Sequence, residues 1–414
     1  HVALNGFRFT VPPKGRRPAL AAHRPPSGDS NSGEQPAEGQ KRTPKVILEE
    51  IVADGMNLTI LSSNPAKAPL EFDMKRLRLF GATPGAPLRY EADLTNPKPP
   101  GVVHSVGHFG PYVTGEPGDS PLDGTFTFDD ADLSVFKGIR GILHSKGNFS
   151  GQLNRIIADG IAETPEFGLS YSKNTVKLVT KYHAIIDGTN GNTELRPVEA
   201  TIGSTKLVCD GSVERFPGEN GKTVGLKVTA KDGDLRDILL LAMKNDQVPL
   251  RGRIGLDIDL KVPPGKGQYA DRLLVTGKFK LSEGHFTNKD TQAKLNDMSS
   301  RALGNPTEPP SENVATDFDG NFRLQDRVLH LSKLRFFIPG AAVQINGTFN
   351  LASDDLDFHG TLRTDAKLSQ MMKTRWKRWV LKPVDPFFSK GGAGAQFNIA
   401  ITGNRENPKF GLDR

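Results

Sequence analysis

Few side chains in this 414-residue chain stand at spacings that could do covalent chemistry. Asp129/Asp130 and Asp354/Asp355 are adjacent carboxylates. Neighbours along a strand point to opposite faces, so such pairs suit turns better than general acid–base work. His104 and His108 share an i, i+4 spacing, but no third ligand is evident in their Gly-rich surroundings. DFDGNF from Asp317 begins like a calcium loop; Phe322 and Val328 stand where that loop needs a glycine and a carboxylate. G-x-S-x-G, the P-loop and a dinucleotide fingerprint are all missing, and Gly391-Gly392-Ala393-Gly394 is too short to carry weight. The lone Cys209 excludes an intramolecular disulfide framework and a cysteine zinc site. The chain is expected to be no enzyme and to hold no metal or cofactor.

What the chain has in quantity is one-sided apolar surface. From Val314 to Ala366, Phe318, Gly320, Phe322 and Leu324 fall on one face of an extended strand and Asp319, Asn321, Arg323 and Gln325 on the other. Leu329 and Leu331, then Leu334, Phe336 and Ile338, then Ile345, Gly347, Phe349 and Leu351 continue the pattern, and Phe358, Gly360 and Leu362 close it. Period-2 alternation broken by turn residues predicts an antiparallel meander wet on one face. A polar-Gly-polar-apolar motif recurs at Gly124, Gly151, Gly211, Gly252, Gly277, Gly320, Gly347 and Gly360 at irregular spacing. Each glycine shares the apolar face with its neighbours two residues away. Glycine in a strand permits a sharp bend or a close approach, so these are read as curvature glycines. The wall beside them is formed by Phe126, Phe128, Leu153, Val213, Ile254, Leu256, Phe279, Leu281, Phe322, Leu324, Phe349, Leu351 and Leu362. Pattern alone leaves two readings open, a closed barrel or sandwich core and an open trough.

The elements that must position this wall are nearly all strands. His1–Val11 reads as one strand, and residues 12–44, rich in Pro, Gly, Ser and charge, as a flexible segment. Strands resume at Val46 and continue to the end, with a short helix expected at Asp130–Arg140. A helix is also expected after Asp234 as N-cap, and another over Lys289–Leu303, ended by Gly304 and Pro306. A helical cap is expected at about residues 366–390 and a last strand at about 394–403. The division is thus residues 1–45 and one β domain over 46–414. The fold class is mainly β: an elongated, curved antiparallel sheet, groove or half-pipe, with a few short capping helices.

Composition fits such a sheet. Hydrophobic residues make up 36% of the chain, mean hydropathy is −0.42, and 44 Gly and 30 Pro supply turns. A net charge of +7 is mild for this length and demands no nucleic acid. No apolar run reaches the about 18 residues of a membrane-crossing helix. The chain starts at His1 without a signal peptide, and is expected to be a fragment or processed chain. Trp376, Lys377, Arg378 and Trp379 join indole rings to cations, as interfacial helices do; the same helix would equally serve to cap one end of the sheet.

Three stretches, taken in order, resemble the C-terminal region of the AsmA-like family of bacterial envelope proteins. They are Gly118–Leu169 (GDSPLDGTFTFDDADLSVF…), DGNFRLQDRVLHLSKLRFFIPGAAVQINGTFNL from Asp319, and KPVDPFFSKGGAGAQFNIAITGNRENPKFGLD near the end. The resemblance spans roughly Val102–Arg414. It implies a curved β-groove in the periplasm or cell envelope of a diderm bacterium, tethered to the inner membrane by a segment absent from this chain. It also implies phospholipid as cargo and an inner or outer membrane surface as partner. Two rival readings stay open. One is a scaffold that offers strand edges to outer-membrane assembly proteins by β-augmentation; the other is a carbohydrate-binding β-protein, poorly supplied by 2 Trp and 5 Tyr.

Overall fold

The computed structural model describes residues 2–11, 48–60, 70–83, 85–113, 116–136, 138–170, 172–216, 218–219, 221–243, 246–265, 269–307, 314–367, 370–371, 394–404 and 407–413. Of these, 68% lie in strands, so the expectation of a mainly β chain with an open, curved sheet and a few short helices holds. The chain forms two units: His1–Asp132 with Leu143–Gly160 and Ile185–Gly191, and Leu133–Ile142 with Ile161–Ala184 and Asn192–Arg414.

The first unit contains β1 (Val2–Asn5), β2 (Arg8–Val11), β3 (Leu48–Ile60), β4 (Leu70–Ala82), β5 (Leu88–Pro97), β6 (Pro100–Phe109) and β7 (Pro121–Asp132). From β3 to β7 each strand runs antiparallel to the one before it. The expected single strand at the N-terminus is two, both parallel to β3. Gly6, with a φ of 64°, breaks it, and its N–H bonds to the Asp54 carbonyl at 3.0 Å while Phe7 accepts from Asn57 N–H. Gly55 beside it is also left-handed, with a φ of 65°, and the β3–β4 register runs past it without a shift.

Next come β8 (Ile139–Arg140), β9 (Ile142–Gln152), β10 (Arg155–Leu169) and β11 (Val176–Ile186). The helix expected at Asp130–Arg140 is only a single 3₁₀ turn, Leu133–Val135, followed by β8. Asp130 sits at a φ of 55°, and Gly138 and Gly141 are also left-handed. Helical backbone cannot run through those angles.

The second unit carries β12 (Thr193–Ile202), β13 (Thr205–Glu214), β14 (Thr223–Asp234), α1 (Leu235–Ala242), β15 (Leu250–Val262), α2 (Tyr269–Arg272) and β16 (Leu274–Phe286). It continues with α3 (Lys289–Ala302), β17 (Thr316–Gln325), β18 (Val328–Ile338), β19 (Ala341–Asn350), β20 (Asp355–Thr364), β21 (Ala395–Asn404) and β22 (Asn407–Leu412). From β12 to β22 every strand is antiparallel to its successor in the chain. The last strand begins one residue later than expected, and β22 follows it. The expected helical cap and Trp376–Trp379 fall outside the described residues, apart from residues 366, 367, 370 and 371 at its start.

Buried clusters of this unit form where helices lie on the sheet. Leu235 of α1 packs with Ile254 and Leu281. Leu240 packs with Val176 and Val248. Leu295 and Ala302 of α3 pack with Val314, Ile338 and Ala341. The helix starts follow from their caps: Asp234 accepts from Arg236 N–H at 2.9 Å, and Asn288 from Thr291 N–H at 3.0 Å. The end of α1 is closed by Asn174, whose amide donates to the Leu240 and Met243 carbonyls, both at 3.1 Å.

Candidate functional site: a one-sided apolar sheet

Register sorts the second unit's side chains into rows that cross the strands. One row runs Cys209, Val228, Ile258, Gly277, Phe322, Leu331, Gly347, Phe358, Ile401. Two residues along each strand, Leu226, Leu260, Val275, Leu324, Leu329, Phe349 and Leu356 make a second row. Toward the helices lies a third, Ile254, Leu281, Phe318, Phe336, Val343, Leu362 and Phe397. Intervening positions give polar rows, such as Thr276, Arg323, His330, Thr348, Asp357 and Thr402. The two faces thus differ as oil and water do.

Most of the apolar face is neither buried nor fully exposed. Ile254 and Leu281 are buried beneath α1, at 5% and 3% exposure. Away from the helices Leu226, Ile258, Leu260, Phe279, Phe322, Leu324, Leu331 and Phe349 are half-buried. Half-burial over most of these rows is what mutual side-chain contact gives where no second layer covers the sheet among the described residues.

Most of the expected wall stands on this kind of surface. In the second unit Val213, Ile254, Leu256, Phe279, Leu281, Phe322, Leu324, Phe349 and Leu362 share the apolar face. In the first unit Phe126 and Phe128 lie level with Ser105 and Val103, and Leu153 is half-buried in a turn. Leu351 lies just past β19, at 47% exposure in the turn that follows, and is not part of the wall. Val228 and Ile258 belong to the face as fully as those named from sequence. The alternation in VGLKV and RIGLDIDL was the signal that marks them.

The glycines sit under rings. A Cβ on Gly277 would lie 2.8 Å from Cζ of Phe322, its register partner on β17. One on Gly347 would meet the Phe358 ring at 2.5 Å and the Asp357 carbonyl closer still. Phe149 covers Gly124, and Phe279 leans over Gly320. Gly360 is pressed by Ile345, Gly211 by the backbone of β14, Gly252 by Leu281, and Gly151, near the end of β9, by the Arg155 carbonyl. The space left by each missing side chain is therefore taken up by a neighbour, and Phe279 and Phe322 sit with centroids 6.4 Å apart.

Charge organises the opposite face. In the first unit Arg78 bridges Glu50 at 2.7 Å and Glu91 at 3.2 Å, and His104 and His108 meet Asp93 and Asp123 at 2.6 and 3.1 Å. The two histidines point to separate carboxylates and do not converge on a metal, and no metal-holding group of His, Cys, Asp and Glu occurs among the described residues. In the second unit His359 lies between Asp357 and Asp413, whose hydrogen bonds raise its pKa above the ordinary 6.5. Burial beside Asp210 pushes the Cys209 thiol up, away from the reactive thiolate. Among the described residues no helix is long and apolar enough to cross a membrane. Comparison with known proteins returns no matching family model, no curated relative and no solved structure with a significant likeness.

Proposed function

We propose that the apolar face is a binding surface for lipid acyl chains, and that the chain is the lipid-handling β-module of an AsmA-like envelope protein. In this reading it carries phospholipid between inner and outer membrane. The observation that carries it is the half-buried state of most of the apolar rows, with no second layer above them among the described residues. An acyl chain in water is disfavoured by about 0.8 kcal/mol per CH₂, about 13 kcal/mol for sixteen carbons. An apolar trough of continuous rows removes much of that barrier while headgroups stay wet at its margin. Nothing in such a process needs a nucleophile or cofactor.

Phe279→Asp and Phe349→Asp test the reading. Each puts a carboxylate into a row of apolar side chains, and each is expected to abolish lipid co-purification seen by native mass spectrometry. A wild-type protein purified from a diderm host without any lipid would overturn it.

One observation favours the β-augmentation reading as a second choice. β22 pairs with β21, and its other edge has no strand partner among the described residues. Added strands would then dock there, and a proline scan of β22 would weaken the complex without changing lipid content.

A further inference from the structure

The polar face of the second unit carries a hollow of about 1000 Å³ that spans β15 to β19, on the side of the sheet away from the proposed lipid surface. Its cause is local. Register shifts occur at 281/284 between β16 and β17, at 319/321 between β17 and β18, and at 331/334 between β18 and β19. Such bulges bend the strands around this point.

Four cations line the hollow, and two of them are committed. Lys278 pairs with Asp257 at 3.3 Å and Arg335 with Asp319 at 2.6 Å. The third carboxylate, Asp317, accepts from Glu283 N–H at 3.1 Å. Lys280 and Lys333 have no carboxylate partner among the described residues. Lys333 is held with φ at 53° by a bulge whose backbone N–H bonds to Asn346 at 2.7 Å. The amides of Asn321 and Gln344 line the same hollow. Phe337, 38% exposed, adds an aromatic ring to the wall, with the Arg335 guanidinium 5.9 Å from its ring centre, and Leu256, Phe279 and Phe318 also line the hollow.

We propose that this hollow binds a phosphate-bearing, hydroxyl-rich ligand. Lys280 and Lys333 meet the phosphate, Asn321 and Gln344 the hydroxyls, and Phe337 a carbon face. Ammonium groups suit phosphate oxygens as point charges, and amides both donate to and accept from hydroxyls. The volume lies at the upper end of the range for small-molecule sites, about 300–1,000 Å³, so it takes more than a bare phosphate ion. A free polyol phosphate and a lipid headgroup share this chemistry.

Isothermal titration of the full chain with glycerol 3-phosphate, and sedimentation with vesicles of phosphatidylglycerol in phosphatidylcholine, separate the two sources. Saturable binding in either arm is expected, and Lys280→Glu with Lys333→Glu should weaken it at least about tenfold while the far-UV circular dichroism stays unchanged. Lys206→Glu with Lys409→Glu, on the same face outside the hollow, should leave it within about twofold. Phe349→Asp, on the opposite face, should leave glycerol 3-phosphate binding unchanged, so in that arm failure of the lipid reading is distinguishable from failure of this one. No saturable binding in either arm overturns the proposal, as does equal loss in the control pair.

Discussion

Gly277 and Gly347 show how much a single missing methyl decides. A backbone carbonyl and a ring, Asp257 with Phe322 and Asp357 with Phe358, lie where their side chains would be, so Gly277→Ala or Gly347→Ala must displace both the neighbouring strand and the ring. Each is expected to lower unfolding free energy by about 1–3 kcal/mol in denaturant titration, the usual range for overpacking. Gly225 has nothing within 4 Å of its own Cβ position, and Gly225→Ala should be neutral or slightly stabilising. Equal effects at the two kinds of site would refute the ring-over-glycine account. Asp237 is a second lever. At 6% exposure its Oδ2 accepts from Ser204 N–H and hydroxyl and from Thr205 N–H and hydroxyl, all at 2.8 to 3.0 Å. Asp237→Ala strands buried donors and should cost about 2–4 kcal/mol in the same titration. The glycine motif could be read from sequence because it repeats. What fills the space could not, since it depends on which strand stands beside which.

At the scale of elements, alternation told strand from helix wherever backbone angles were ordinary. It placed α1 and α3 within a residue or two, because Asp234 and Asn288 are helix caps before periodic runs. It failed at Asp130–Arg140, where Leu133, Phe136 and Arg140 have helical spacing but the left-handed Asp130, Gly138 and Gly141 set the path. The parallel pairing of β1 and β2 with β3 was equally invisible, since parity says nothing about direction. The polar hollow had no sequence signal at all, as it arises from bulges and from strands brought side by side. One element carries a pH prediction. Asp413, just beyond β22, and Asp357 of β20 raise the pKa of His359. Because the folded value lies above the unfolded one, the contribution is complete below pH 6.5 and fades as pH rises through the raised value. NMR titration should find the His359 midpoint above 6.5 and Asp413→Asn should lower it. A midpoint unchanged in the variant would remove Asp413 as the cause.

For the whole molecule, an uncovered apolar surface should be detectable without unfolding. The native protein is expected to bind an environment-sensitive apolar dye saturably at moderate temperature, with its β circular dichroism intact and its thermal transition raised by the dye. Dye binding only after the transition would mean that the rows are closed in solution. Addition of phospholipid should displace the dye if both use the same face, and Phe279→Asp should weaken both.

From β12 onward every strand pairs with its sequence neighbours, and each hairpin adds one more rung to the same rows. A chain organised in this way has length as a free variable. Inserting or removing a two-strand hairpin lengthens or shortens the ladder by about 10 Å, given about 4.8 Å between strands, and leaves every other pairing in place. A fixed closed core would not tolerate such editing. The span of the surface can therefore drift or be tuned by duplication of hairpins, with each intermediate a folded protein, so reach evolves separately from chemistry.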